Sequence, residues 1–254
     1  MTAAPHVDVT EEARRIITTA QQNKVTLRLI GGLAIRFHCH GQHTSHLREY
    51  HDVDVLGLAD ESEMISSVLR QLGYSPNFKY NLLYGGSRLQ FVNDATGRNV
   101  DVFLDKFSMD HRLDFRQRLG LDELTIPVTD LLLTKLQMAR LGEKDVKDIV
   151  AILEDHELGR KDDREILNID YVAKICASDW GLYKTITDNL CKMSGFIDHT
   201  MPGLAERREL ATKLDAVRTS VEECKKEIRW RIRSLVGERI RWYEPVELGE
   251  GEAY

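Results

Sequence analysis

The chain has 254 residues, 42% of them hydrophobic and 30% charged, with a formal net charge of -6, enough apolar mass for a core and for two domains of ordinary size. Its acidic balance argues against a protein whose whole surface grips nucleic acid, because phosphate binding demands a basic footprint. No stretch approaches the ~20 apolar residues that span a bilayer. The first eight residues lack the basic start and apolar run of a secretory signal, and Cys39, Cys176, Cys191 and Cys224 are scattered without metal-site or disulfide-framework spacing, so a cytoplasmic, non-membrane chain with free thiols is expected.

In chain order, a helix is expected over residues 10–22, opened by Thr10-Glu11-Glu12 as cap and first-turn acids. A strand over 25–30 ends in Gly31-Gly32, and a helix starts near Leu33. Such a corner aims backbone N–H groups and the positive end of a helix at a phosphate. A second strand carries His51-Asp52-Val53-Asp54. Residues two apart on a strand share a face, so Asp52 and Asp54 stand side by side. Two like charges so close raise each other's pKa unless a cation lies between them. Hard oxygen ligands suit Mg2+, which keeps one or two carboxylates and completes its shell with water and substrate phosphate.

A helix over 60–72 is stopped by Gly73, and the segment from Arg88 to Leu104 reads as two β-runs around Asp94-Ala-Thr-Gly97, a hairpin signal. Asp101 lies between Val100 and Val102, where an unpaired charge is costly. Beside Asp52 and Asp54 it would complete a carboxylate metal site or act as a base on an incoming hydroxyl. Asp105 has the same parity and is the alternative, disfavoured because its run ends at Lys106. Gly85-Gly86 lacks the lysine and helix start of a phosphate loop and reads as a turn, with Arg88 able to face the site from the next strand.

After Pro127 the pattern turns helical: 129–141, a second helix from Lys144, then 163–177, 180–193 and 204–242, punctuated by Gly and Pro. The expected fold is therefore α+β, a small mixed sheet over residues 1–126 followed by a helical bundle over 127–254. Within the last helix the run from Lys225 to Arg241 is strongly basic, with Trp230 and Trp242 interleaved. Its ordinary reading is an amphipathic helix burying Ile228, Ile232, Leu235 and Val236 with its arginines solvated; the alternative is a surface for RNA or another anionic partner.

Gly31-Gly32 before a helix, Asp52-Val-Asp54 and a lone strand Asp101 together resemble the nucleotidyltransferase superfamily. Arg48 resembles the arginine that precedes the acid pair in its antibiotic-modifying and abortive-infection toxin branches. The run from Pro127 to Ile149, with Lys135, Arg140, Lys144, Asp145 and Asp148, is similar to the helical motif of the AbiE-toxin-like branch. The resemblance covers residues ~25 to 155 and no single motif carries it. It departs from the family in a longer spacer between Gly32 and Asp52 and in a glycine where many members have serine, leaving only backbone N–H groups to cradle phosphates.

The resemblance implies transfer of a nucleoside monophosphate from a nucleoside triphosphate to a hydroxyl, releasing pyrophosphate. Asp52, Asp54 and Asp101 would hold Mg2+ or Mn2+ and do the chemistry, while Gly31, Gly32, Arg48 and Lys135 would bind the nucleotide. The acceptor would be a protein, an RNA or a small molecule, with an antitoxin as a further partner. The competing expectation is a catalytically silent protein of the same fold that binds nucleotide or a partner. Taken alone, Lys135 is a snorkelling helix lysine, and the charges around it are solvated or in local ion pairs. His38, Cys39, His40, His43, His46 and His51 crowd one stretch, but their spacing matches no recognised zinc pattern.

Overall fold

The computed structural model describes residues 8–39, 50–200 and 204–245. Arg48, His40, His43 and His46 lie outside the described residues. The chain separates into two compact units, the first formed by residues 1–107 and 113–131 and the second by 108–112 and 132–254. It is α+β: a small mixed sheet in the first unit, and helices through most of the second.

The first unit opens with α1 (Val9–Gln22). Its cap is Asp8, not Thr10: one Asp8 oxygen accepts the N–H groups of Thr10 and Glu11 at 2.7 and 3.1 Å, satisfying orphan donors of the first turn. Then come β1 (Leu27–Leu29), α2 (Gly31–His38), β2 (Val53–Gly57), α3 (Ser62–Gln71), β3 (Ser75–Pro76), α4 (Phe78–Tyr84), β4 (Arg88–Val92) and β5 (Asn99–Leu104). The sheet order is β1-β2-β5-β4-β3. Only β2 and β5 run parallel; every other neighbouring pair is antiparallel.

Register sorts the side chains onto two faces. Val53 pairs with Val100 and Val55 with Val102, and Phe91 and Leu89 of β4 continue those two rows. All of these residues are buried. Period-two alternation then puts Asp54, Asp101 and Gln90, which are themselves aligned partners, on the opposite face. Ile16 and Ile17 of α1 and Ile65 and Leu69 of α3 are fully buried, and α1 packs on both α3 and β1.

The helix α4 was not expected from the sequence, where Gly85-Gly86 reads as a strand-to-strand turn. Asn77 is its cap, accepting the Tyr80 N–H at 3.2 Å. The helix leaves Phe78, Leu82 and Leu83 exposed, so no amphipathic period announces it.

A short hairpin follows, β6 (Lys106–Ser108) and β7 (Arg112–Asp114), and α5 (Val128–Leu136) comes next. The second unit continues with α6 (Glu143–Asp155), β8 (Leu158–Gly159), β9 (Leu167–Asn168), α7 (Ile169–Ser178), α8 (Trp180–Thr200), α9 (Leu204–Glu223) and α10 (Ile228–Val236). No described helix is long and apolar enough to cross a membrane, and all four cysteines are free thiols.

Three boundaries differ from expectation, each for a local reason. α5 ends at Leu136 rather than near Leu141 because the Asn189 side-chain amide donates to the carbonyls of Leu136 and Met138 at 2.9 and 2.7 Å, taking over acceptors that a longer helix would use. α7 starts at Ile169, not near Asp163, with Asn168 accepting the Tyr171 N–H at 3.0 Å. The expected single helix over 204–242 is broken, because the Lys226 ammonium folds back onto the carbonyls of Val221, Glu222 and Cys224 at the end of α9. A cation suits a helix C-terminus. The polarity of α10 is also reversed: Ile228, Ile232 and Leu235 are 76%, 62% and 82% exposed.

Arg118 and Asp130 form a buried ion pair in the first unit, with Arg118 Nε 2.7 Å from each Asp130 oxygen and side chains 8% and 0% exposed. Removing one partner leaves a desolvated charge, so Asp130→Ala is expected to destabilise the protein by about 3 to 5 kcal/mol. Thermal or urea melts measure the loss, and a change within a few tenths of a kcal/mol would contradict it.

Candidate active site

Asp54 on β2 and Asp101 on β5 are direct register partners, placing their Cα atoms one inter-strand spacing apart, ~4.8 Å. Asp52 lies two residues before Asp54, immediately ahead of β2, and its carboxylate accepts the Asn99 N–H at 3.2 Å. Asp52, Asp54 and Asp101 thus neighbour one another along the backbone at the start of the parallel β2–β5 pair, without one carboxylate oxygen from each gathering within 4.8 Å. Asp105 is engaged elsewhere: it ends β5 in a left-handed conformation, φ 63°, and accepts the Ala59 N–H at 3.0 Å.

The strand β1 delivers a helix to this edge. Ile30 donates its N–H to the Asp54 carbonyl at 3.0 Å, and the chain turns at Gly31, φ +69°, into α2. A Cβ on Gly31 would lie 2.8 Å from Asp54 Oδ2, so only glycine meets both the backbone angle and the close approach. The Ile30 side chain caps none of the first-turn donors, so the backbone of Gly31 and Gly32 stands beside the acids at the positive end of the helix.

The Asp101 carboxyl is perturbed by its surroundings. Burial pushes its carboxyl above the ordinary carboxylate value; Arg88 pulls it down, and the neighbouring charge of Asp52 pushes it up again. Arg88 Nη2 lies 3.3 Å from Asp101 Oδ1, with its guanidinium stacked 4.4 Å over the Phe103 ring. That contact is an ion pair, and among the described residues no other group is bonded to the buried Asp101 Oδ1. Neighbouring carboxylates, one of them buried and balanced by a single arginine, offer the hard oxygen ligands that a divalent cation takes. Mg2+ or Mn2+ fits these residues.

Gln90, Asn77 and Asn81 form a neutral frame next to Asp101 that sequence reasoning missed. Asn77 Nδ2 donates to Gln90 Oε1 at 2.7 Å, Gln90 N–H donates to Asn81 Oδ1 at 2.8 Å, and Asn81 Nδ2 donates to the Gln90 carbonyl at 3.2 Å. The signal was Asn77 as a helix cap, one residue after Pro76. A polar cleft of about 320 Å3 opens beside Asp52, lined by Tyr50, His51, Thr96, Gly97 and Arg98. His38 is buried, with Nε2 2.6 Å from Thr125 Oγ1.

No protein-family model and no curated protein sequence matches the chain. Among solved structures, it is similar to the lincosamide antibiotic adenylyltransferase LnuA in its lincomycin-bound crystal structure. The two are 18% identical over 59% of this chain and 97% of that one, with a TM-score of 0.43. It is also similar to the antibiotic-resistance factor ANT(2'')-Ia, 11% identical over 89% of this chain and 94% of that one, with a TM-score of 0.35.

Lys135 belongs to a separate arrangement within the second unit. Its ammonium lies 3.1 Å from Asp145 Oδ1 and 2.9 Å from Asp148 Oδ2. Burial works to lower its pKa, but the two carboxylates outweigh it and hold the ammonium above its ordinary value. Asp148, expected on a solvated helix face, is buried.

Two predictions separate site from scaffold. Gly31→Ala forces a strained left-handed alanine and displaces the Asp54 carboxylate; it should cost only about 1 kcal/mol of stability, and any rise in melting temperature measured with Mn2+ on the parent protein should be lost in the variant. An undiminished Mn2+ response would contradict the packing of Gly31 on Asp54. Lys135→Met strips Asp148 of its cation and should destabilise the chain by about 3 kcal/mol in melts without nucleotide or metal; an unchanged melt would free Lys135 for another role.

Proposed function

We infer that the protein is a metal-dependent nucleotidyltransferase, moving a nucleoside monophosphate from a nucleoside triphosphate to an acceptor hydroxyl with release of pyrophosphate. One observation carries this: Asp54 and Asp101 are register partners on parallel strands, Asp52 is two residues away, and the Gly31 backbone presses on Asp54. A scaffold with no use for a cation has no reason to hold such mutually repelling groups together.

Asp52, Asp54 and Asp101 would hold the divalent ions, which when bound neutralise triphosphate charge and lower the pKa of the acceptor hydroxyl. The residues themselves supply placement. Gly31 and Gly32 offer backbone N–H groups to the phosphates at the start of α2. The Asp101 carboxylate, paired with Arg88 yet raised in pKa by burial, is suited to accept the hydroxyl proton as the oxygen attacks the α-phosphorus and the bond to pyrophosphate breaks. Arg88 limits how far the Asp101 pKa rises and fixes the carboxylate from the side of β4. The frame of Gln90, Asn77 and Asn81 keeps that face polar without adding charge. Catalysis is then mainly orientation and charge neutralisation. Lys135 we assign to joining α5 and α6, because its ammonium is already engaged by Asp145 and Asp148.

Incubation with each labelled triphosphate and Mg2+ or Mn2+, scoring label in protein, RNA and small-molecule pools, tests the reading and identifies the acceptor. Asp54→Asn and Asp101→Asn should each lower transfer by about 100-fold or more. Neutralising Asp101, whose ionised form burial disfavours, should leave metal-free stability at neutral pH equal or higher while cancelling the Mn2+ shift in melting temperature. Nucleotide binding with no label transferred to any pool would favour the silent binder instead.

A further inference from the structure

The second unit holds a cavity of about 520 Å3 among the end of α7, the start of α8, α10 and the segment after it. Trp180, Trp230 and Trp242 line it, and they are the three tryptophans of the chain. Arg229, Arg233 and Arg241 line it as well. The wall is built closely: a Cβ on Gly181 would lie 2.5 Å from the Trp242 carbonyl, and Trp242 Nε1 donates to Thr185 Oγ1 at 3.0 Å, which also meets His111 Nε2 at 2.8 Å. Trp180 and Trp242 meet edge to face with centroids 6.1 Å apart.

Most of the charge on this lining is committed. Asp110 accepts the Ala139 N–H at 2.8 Å and Asp179 the Leu182 N–H at 3.0 Å. Glu244 pairs with Arg112 at 2.9 Å. Arg233 stacks 4.7 Å over Trp180 and donates to the carbonyls of Gly237 and Ile240, both at 2.8 Å. Two cations are left over. Arg229 and Arg241 form no ion pair or hydrogen bond with a described residue; the Arg241 guanidinium merely lies 5.8 Å from the Tyr243 ring. The Trp230 indole N–H is buried and has no acceptor among the described residues. Uncommitted guanidinium groups, a buried indole donor and aromatic side chains in one lining suit a ligand that is flat, aromatic and anionic.

We propose that this cavity binds a nucleoside phosphate, the base against the indoles and the phosphate between Arg229 and Arg241, either as a free nucleotide or as the end of a single strand of RNA. Both sources present the same ring and phosphate, and both are read by stacking and guanidinium contacts. This site is separate from the carboxylate cluster and does not rest on the activity inferred for it.

Because every tryptophan lines the cavity, tryptophan fluorescence of the intact protein, excited where tyrosine does not absorb, reports on it. Titration with AMP in EDTA, which removes any metal-dependent binding at the acids, should quench that fluorescence saturably. Adenosine, which has no phosphate, should bind about tenfold or more weakly, and ribose 5-phosphate, which has no base, should not displace AMP. The double variant Arg229→Glu with Arg241→Glu should lose at least about tenfold in AMP affinity with an unchanged melting temperature, and Asp54→Asn should be quenched like the parent. Tighter binding of a short oligoribonucleotide with a terminal phosphate assigns the cavity to a strand end, and equal binding assigns it to the free nucleotide. Quenching by adenosine equal to that by AMP, no quenching by AMP, or full affinity in the double variant would each overturn the proposal. Lost transfer in Asp54→Asn with AMP quenching retained shows the two sites to be independent.

Discussion

The parallel pairing of β2 with β5 is the constraint on which the candidate site depends. A parallel ladder sets the two strands in one direction, so residues of equal parity stand side by side along its length. Here it aligns Val53 with Val100, Asp54 with Asp101 and Val55 with Val102, and the same register that buries four valines turns two aspartates to the other face. A slip by one residue would put the charges in the core and the valines in water. Core packing therefore fixes the acid geometry, and the energy holding mutually repelling carboxylates together comes from the apolar side of the same strands.

The neighbouring elements act through that pair. β1 pairs antiparallel with β2 and hands the chain to α2 at Gly31, where a left-handed turn brings the start of the helix against Asp54. β4 supplies Arg88 and Gln90 from the other side. Asp101 is thus bordered by one cation, one neutral amide and two carboxylates, and burial is the largest influence on its protonation.

The second unit shows a different use of cations. Lys226 closes α9, Lys135 joins α5 to α6, and Arg233 holds the segment beyond α10 by its carbonyls. In each case the charge substitutes for a missing backbone partner or balances a buried acid. Arg229 and Arg241, with no such task, stand out by contrast, and the aromatic surroundings they share with Trp230 distinguish them from arginines that are merely solvated.

The local sequence determined where polarity breaks pattern. The glycine pair after an apolar strand, two aspartates at strand spacing and an aspartate inside a valine run were readable because each violates the burial rule of its own element, and the hairpin around residues 94–97 follows from turn residues between β-runs. The tertiary structure decided which violations meet. That Asp101 rather than Asp105 faces Asp54 depends on a register between strands some 45 residues apart, which no local pattern encodes. That Lys135 spends its charge on Asp145 and Asp148, that α10 turns its isoleucines outward, and that three tryptophans distant in sequence line one cavity are likewise outcomes of long-range packing. Local propensity cannot foresee them, because whether a residue is buried is set by which other segments cover it.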